Sequence, residues 1–318
     1  MLSKVMSLAD AVHEHVRAGM ALHLAYGGGR PNATVAEIVG QFHGSSPGFR
    51  VSAHGFVNTQ HALVGAGLVR HLIVAYAGEN YPTPRPNPVL QRAIRSGAVT
   101  IENWSLWTLT ARLIAGALDM PYFPVRSLTG SGIADEHDGT GYTMTSVFGT
   151  ESAPVAPYRP DLTLVHGLVA DAAGNVMLAA PYGEGAWGAM AAKEGVIATV
   201  ERIVDADFIR ANNSLPMIPA HVVRAVCEVP FGSHPYGVQS GGLAGVESYG
   251  EDDVFMAGVR AAAKDPDAFE AWIDTQILSH DDHAEFMDSL GAERRAELRR
   301  PRVAAQPTGR VRRATTSG

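Results

Sequence analysis

Residues 20–42 read MALHLAYGGGRPNATVAEIVGQF. The run from Met20 to Tyr26 is apolar and of strand length, and it halts at Gly27-Gly28-Gly29. After Arg30-Pro31, Thr34 opens a helical pattern through VAEIVGQF to Phe42. Strand, glycine turn and helix in succession form the repeating unit of an α/β protein. The same alternation extends in both directions. Ser7 is placed to cap a helix over LADAVHEHVRAG ending at Gly19. FRVSAHG, HLIVAYAG, VTIENW, DLTLVHGLVA, GNVMLA, GVIATVERIV and HVVRAVCEVP read as strands, and NPVLQRAIRSG and SLWTLTARLIAGAL as helices. The expected fold is an open, mostly parallel sheet covered by helices, with ligands at the carboxyl ends of its strands. The polar stretch from about residue 133 to 160 is expected to be a long loop or hairpin excursion over a site.

The bulk composition sets limits. The chain has 318 residues, 46% hydrophobic and 18% charged, which is ordinary for a globular protein that builds its own core. A net charge of −7 argues against a nucleic-acid partner. One cysteine, Cys227, excludes a disulfide framework and reads as a small buried hydrophobe. Nothing approaches the roughly 18 to 20 apolar residues of a membrane span, and MLSKVMSLADAVHEHV lacks the apolar core of a secretory leader, so no membrane partner and a cytoplasmic location are expected. Residues 1–290 read as one domain. Residues 291–318 hold eight arginines against two glutamates and read as a solvated helix end followed by a disordered tail.

Three small-residue turns are candidate ligand sites. Gly27, Gly28, Gly29 and Arg30 sit between a strand and a helix, where backbone amides and a helix N-terminus suit a phosphate or a thioester oxygen. A tight structural turn explains them equally, and the spacing does not fit a dinucleotide fingerprint. Gly130, Ser131 and Gly132 form the second turn. Ser233 and His234, in PFGSHP, form the third, where His234 is either a hydrogen-bond donor to a substrate anion or a turn-stabilising residue. Two carboxylates at strand ends are candidate nucleophiles, Glu79 after HLIVAYAG and Glu102 in TIENW, and each is otherwise a structural carboxylate. Tyr81, Trp104, Trp107 and Tyr122 are candidate lining for an acyl pocket or ordinary core. His280, Asp281, Asp282 and His283 read as a helix start rather than a metal site, and no metal is expected. No GxSxG, HExxH or P-loop pattern is present.

Several segments, in order, resemble the alpha (A-type) chains of the class I CoA-transferases, and within them the glutaconate CoA-transferase alpha-subunit group. They are KVMSLADA from Lys4, the glycine turn with Arg30-Pro31, IENWS from Ile101, MPYFPV from Met120, Gly130-Ser131-Gly132, Val165-His166-Gly167, DAAGNV from Asp171, PFGSHP from Pro230 and Asp282-His283. The resemblance covers about residues 4 to 291. It implies an open α/β subunit that pairs with a homologous B subunit, as a heterodimer or a larger A–B assembly. Coenzyme A thioesters bind between the two as substrates, with no permanently bound cofactor. CoA then passes between an acyl-CoA and a carboxylic acid through a glutamyl-CoA intermediate. The family's nucleophilic glutamate belongs to the B subunit. Glu79 stands at the equivalent place of the A half, where the family's A-type chains usually do not carry glutamate, so it is expected as a second carboxylate beside the main glutamate of the B subunit. Relatives on this fold also hydrolyse or decarboxylate CoA esters. The hydrolase branch has an acidic residue after the strand equivalent to TIENWS where this chain has Leu106 or its neighbours. A non-catalytic CoA-binding subunit is the remaining alternative.

Overall fold

Apolar strands of this length bury their backbone polar groups only by pairing, and here they pair side by side in parallel. In the computed structural model, which describes residues 3–80, 83–137, 145–215 and 217–300, the strands are β1 Ala21–Leu24, β2 Phe49–Val57, β3 Val69–Gly78, β4 Thr100–Asn103, β5 Phe123–Val125, β6 Thr145–Val147, β7 Thr150–Val155, β8 Leu162–Asp171, β9 Val176–Met177, β10 Gly195–Val204, β11 Met217–Ile218 and β12 Val223–Glu228. The main sheet runs β12-β10-β8-β1-β2-β3-β4, and every neighbouring pair in that series is parallel. Registers such as Leu24↔Ala53 and Val57↔Gly78 bring the carboxyl ends of β1, β2 and β3 to one edge. All ten residues of β8 are buried, as a central parallel strand requires. GNVMLA departs from the parallel pattern. β9 folds back antiparallel on β8 beyond the end of β1, and β11 pairs antiparallel with β9. The reversal is a tight turn in which the Asp171 carboxylate accepts from the amides of Gly174 and Asn175 at 2.9 Å each.

One face of the sheet is covered by the helices Leu8–His15, Asn32–Phe42, Pro88–Arg95, Asp253–Ala262 and Pro266–Ile273. Their apolar sides join Leu22, Phe49, Val51 and Leu72 in one core. Ser7 caps the first helix as expected, but the helix ends at His15 because Val16 turns to extended backbone. The second helix begins at Asn32, two residues before Thr34. The helices Leu106–Ala117 and Gly185–Ala191 cover the opposite face, over Ile73, His23 and Thr163.

The excursion from residue 133 to 160 contains β6 and β7. With β5 it forms a small antiparallel sheet whose apolar side packs on Trp104 and Leu109. Residues 138–144 and Tyr81 lie outside the described residues. Beyond residue 290, Ala292–Leu298 is a helix, Leu298 is buried, and Arg294 is bound to Asp252. These contacts hold the segment on the domain. Residues 301–318 of the Arg-rich tail lie outside the described residues. Among the described residues no helix is long and apolar enough to cross a membrane.

Candidate active site at the carboxyl edge of the sheet

The ends of β1, β2, β3 and β12 converge, and they bring together the first glycine turn, Glu79 and the Ser233–His234 turn. Arg30 links them. Its amide donates to Ser233 Oγ at 2.8 Å, and Asn32 Nδ2 donates to the Ser233 carbonyl at 2.9 Å. The Arg30 guanidinium lies 4.7 Å from the ring centroids of both Tyr26 and Tyr236, and its Nη1 donates to the Gly55 carbonyl at 3.0 Å. Tyr236 in turn donates to Asn80 Oδ1 at 2.9 Å, next to Glu79.

Glu79 is only 2% exposed. Asn87 Nδ2 donates to its Oε1 at 2.6 Å and Asn58 Nδ2 to its Oε2 at 3.3 Å. Its backbone forms a two-way bridge with Arg85, and its carbonyl accepts from the Tyr76 hydroxyl. Asn87 is fixed because it also caps the helix that starts at Pro88. One amide donor on each oxygen compensates the burial of this carboxylate and fixes its orientation.

Glu102 lies apart, on β4. Trp104 Nε1 and Arg112 donate to its Oε1 at 2.5 and 2.7 Å, and His71 Nε2 is 3.3 Å from Oε2. Burial raises its pKa. The hydrogen bonds from His71 and Trp104 and the Arg112 guanidinium outweigh that and hold it at about 2. Its oxygens are committed to ion pairing. The Ser131 hydroxyl caps the short helix Gly132–Glu136, whose Glu136 accepts from Asn103 at the end of β4. Among the described residues no hydrogen bond joins Gly130, Ser131 or Gly132 to the other two turns. Trp104 is buried, with Arg112 4.4 Å from its ring, while Trp107 and Tyr122 are about half exposed.

The glycines of the first turn have a packing reason. Gly28 has φ +76, and a Cβ there would stand 2.4 Å from the carbonyl oxygens of Ala179 and Ala180. A Cβ on Gly29 would stand 2.8 Å from the His166 carbonyl oxygen, whereas on Gly27 it would meet only Leu178 at 3.8 Å. Close chain approach accounts for Gly28 and Gly29 without a ligand.

Much of the surrounding polar network carries no local sequence signal. His166 contacts Thr199 Oγ1 at 2.9 Å and Glu201 at 2.7 Å, and Glu201 also accepts from the Phe231 amide and the Tyr249 hydroxyl. This network braces the PFGSHP turn from below. His234 pairs with Asp252 at 3.1 Å, and Arg294 donates to the same carboxylate. Burial lowers the His234 pKa against the pull of Asp252. His234 lines a cleft of about 320 Å³ with Asn32, Phe255, Trp272, Phe286 and His283. Asp282 caps the helix at His283, and burial with nearby His234 and His166 takes the His283 pKa down to about 4. Under the glycine turn, Glu184 accepts from the Tyr26 amide at 3.0 Å and faces His54 Nδ1 at 3.0 Å. Burial raises its pKa, but His23 and His54 reverse that and leave it well below the carboxylate range.

A parallel sheet whose strand ends assemble a cation, two aromatic rings and a buried carboxylate has the arrangement of an α/β protein that binds a ligand at the carboxyl edge of its sheet. Comparison with known proteins gives the family: residues 5–228 match the model of the coenzyme A transferases, and the chain belongs to that family. It is 33% identical over 231 residues, 72% of this chain and 78% of the relative, to the A-type chain of the 3-oxoadipate CoA-transferase of Pseudomonas knackmussii. It is 28% identical over 326 residues, 94% of this chain and 95% of the relative, to the A-type chain of the glutaconate CoA-transferase of Acidaminococcus fermentans. The crystal structure of the latter enzyme superposes with a TM-score of 0.81 at 26% identity, covering 94% of this chain and 96% of that one. The open α/β fold and the CoA-transferase chemistry expected from the sequence both stand on these matches.

Proposed function

We propose that this chain is the A half of an acyl-CoA:carboxylate CoA-transferase whose attacking glutamate is supplied by a homologous B chain. The observation that carries this reading is the state of its own carboxylates. Glu79 gives both oxygens to Asn87 and Asn58 inside the protein, and Glu102 gives its oxygens to Trp104, Arg112 and His71. Both carboxylates are engaged inside the protein, which supports a nucleophile from another chain, and the carboxyl edge of the sheet presents Arg30, Tyr26 and Tyr236 near Glu79. The A-type relatives support a two-chain enzyme.

In such an enzyme a glutamate carboxylate attacks the thioester carbonyl. Coenzyme A leaves as thiolate and a mixed acyl–glutamyl anhydride remains. The thiolate attacks the glutamyl carbonyl of the anhydride, releases the first carboxylate and leaves glutamyl-CoA. The acceptor carboxylate reverses the sequence and leaves with CoA. No redox step or net hydrolysis is involved. The residues of this chain hold and orient the substrates at the strand ends and keep water out.

The test is to purify the chain with its B partner, incubate with an acyl-CoA, add borohydride and map the reduced glutamate by mass spectrometry. The adduct is expected on the B chain, with Glu79→Gln still transferring CoA. An adduct on Glu79, or loss of transfer in Glu79→Gln with assembly and CoA binding intact, places the nucleophile here instead. The absence of any adduct overturns the transferase mechanism.

A further inference from the structure

Two clefts meet at one group of side chains beside the second helix. The first, of about 320 Å³, is walled by rings: between centroids Phe255 stands 5.7 Å from Phe286 and 6.1 Å from Trp272, and His234 meets Phe255 edge-on at 4.8 Å. Along this wall the chain widens into a π-helical turn at Asp274–Leu278, an irregularity frequent at functional sites. The second cleft, of about 640 Å³, runs past Glu228, Met287, Arg295 and Arg299. Glu37, Asp281, Asp282 and His283 line both. Among the described residues no ion pair uses Glu37, Asp281 or Asp282. Gln41 donates to one oxygen of Glu37 at 2.7 Å and the Glu285 amide to one of Asp282 at 2.9 Å, and the other carboxylate oxygens of the three have no partner among the described residues. The arginines of the second cleft are already engaged, Arg295 with Asp288 and Arg299 with Glu247, and no Lys or Arg lines the first. His283 is a further mark of an unfilled site. Its Nε2 is enclosed and has no hydrogen-bond partner, and its pKa of about 4 keeps the ring neutral at pH 7.

We propose that the joined clefts bind an organic cation with an aromatic body, an arylalkylamine, its ring among Phe255, Trp272 and Phe286 and its ammonium group at Glu37, Asp281 and Asp282. The aromatic wall takes an apolar body and favours a positive charge at its ring faces. Three carboxylates without a protein cation attract an ammonium group and repel an anion. The neutral His283 ring adds no opposing charge, and its Nε2 can accept an N–H of the ligand. A bare metal ion does not fit the same carboxylates, because among the described residues no three His, Cys, Asp or Glu side chains are grouped closely enough to hold one. Coenzyme A thioesters and carboxylates are anions, so this site is separate from the transfer chemistry and does not depend on that reading.

The experiment titrates phenethylamine and 2-phenylethanol, which share a skeleton and differ in charge, into the purified protein at pH 7 by calorimetry. Phenethylamine is expected to bind with a Kd of about 0.1–1 mM, the range open to so small a ligand, and about 3- to 30-fold more tightly than the alcohol. In the double variant Glu37→Gln with Asp281→Asn the two affinities are expected to converge to within about 2-fold. Loss of folded protein lowers both affinities alike, so the ratio reads the charge and not the fold. Trp272→Leu is expected to weaken both ligands by about 3- to 10-fold and to leave their ratio unchanged. No binding of phenethylamine to the wild type, equal binding of amine and alcohol, or a preference that survives the double variant each overturns the proposal. Wild-type affinity for both ligands in Trp272→Leu places the ligand outside this cleft and overturns it as well. Transfer of coenzyme A is not the readout, so failure here is distinct from failure of the transferase reading.

Discussion

Gly28→Ala destabilises this chain, and Gly27→Ala, one residue earlier, does not. At Gly28 the backbone φ is +76, a region where an L-residue pays about 1–2 kcal/mol. The new methyl would also stand 2.4 Å from two backbone oxygens, Ala179 and Ala180, which belong to the chain rather than to a flexible side chain. Overpacking of this kind costs about 1–3 kcal/mol more, for a total of about 2–5 kcal/mol. At Gly27 the methyl would meet only Leu178 at 3.8 Å and φ is not positive, so reduced freedom of the unfolded chain is expected to leave stability unchanged or raised by up to about 1 kcal/mol. Urea unfolding of the two variants, followed by circular dichroism in the absence of coenzyme A, measures the difference. In a melt, Gly28→Ala is expected to unfold about 3–10 °C below Gly27→Ala. Wild-type stability in Gly28→Ala would show that the turn relaxes freely and that close packing is not why glycine stands there. Loss of CoA binding in Gly27→Ala without loss of stability would return that residue to the role of ligand cradle.

Other outcomes follow from the same structure. Glu102→Gln should lose about 1–3 kcal/mol at pH 7 by urea denaturation. The folded pKa of Glu102, about 2, lies below its ordinary 4.5, so its contribution is full above pH 4.5 and fades as pH falls towards 2. The gap between wild type and Glu102→Gln should close over that window, and a gap constant with pH rejects the ion-pair account. Burial, with Asp10 and Glu37 nearby, pushes the Cys227 thiol up to about 12, so iodoacetamide at pH 7.5 should label it only after unfolding. Asn87→Ala should destabilise the chain by about 1–3 kcal/mol, because it removes both the helix cap and a donor to buried Glu79. Thermal melting checks this, and a stability loss below about 0.5 kcal/mol would mean that water replaces both bonds at no cost.

Local sequence dictated the order of strands and helices, the turns between them and the location of candidate chemistry at strand ends. These features rest on short-range causes: side-chain periodicity, a Ser or Asn cap, a glycine stop. Their limits were local as well. The first helix stopped at His15 rather than Gly19, and GNVMLA reversed direction, because turn geometry and pairing partners overrode propensity. Glu79 was legible as a strand-end carboxylate. What holds it was not, since Asn58 lies 21 residues before it and reaches it only through the pairing of β2 with β3.

Tertiary structure settled which turns share a site. It joined Arg30 to Ser233 across 203 residues, while Ser131 caps the helix Gly132–Glu136. It assigned Gly28 and Gly29 to close packing and tied Arg294 to Asp252. It also left Arg30 stacked between two tyrosines, with no carboxylate among the described residues as its counter-ion. Whether a charged residue is paired depends on which distant segments the sheet order makes neighbours, and residue spacing along the chain does not contain that order.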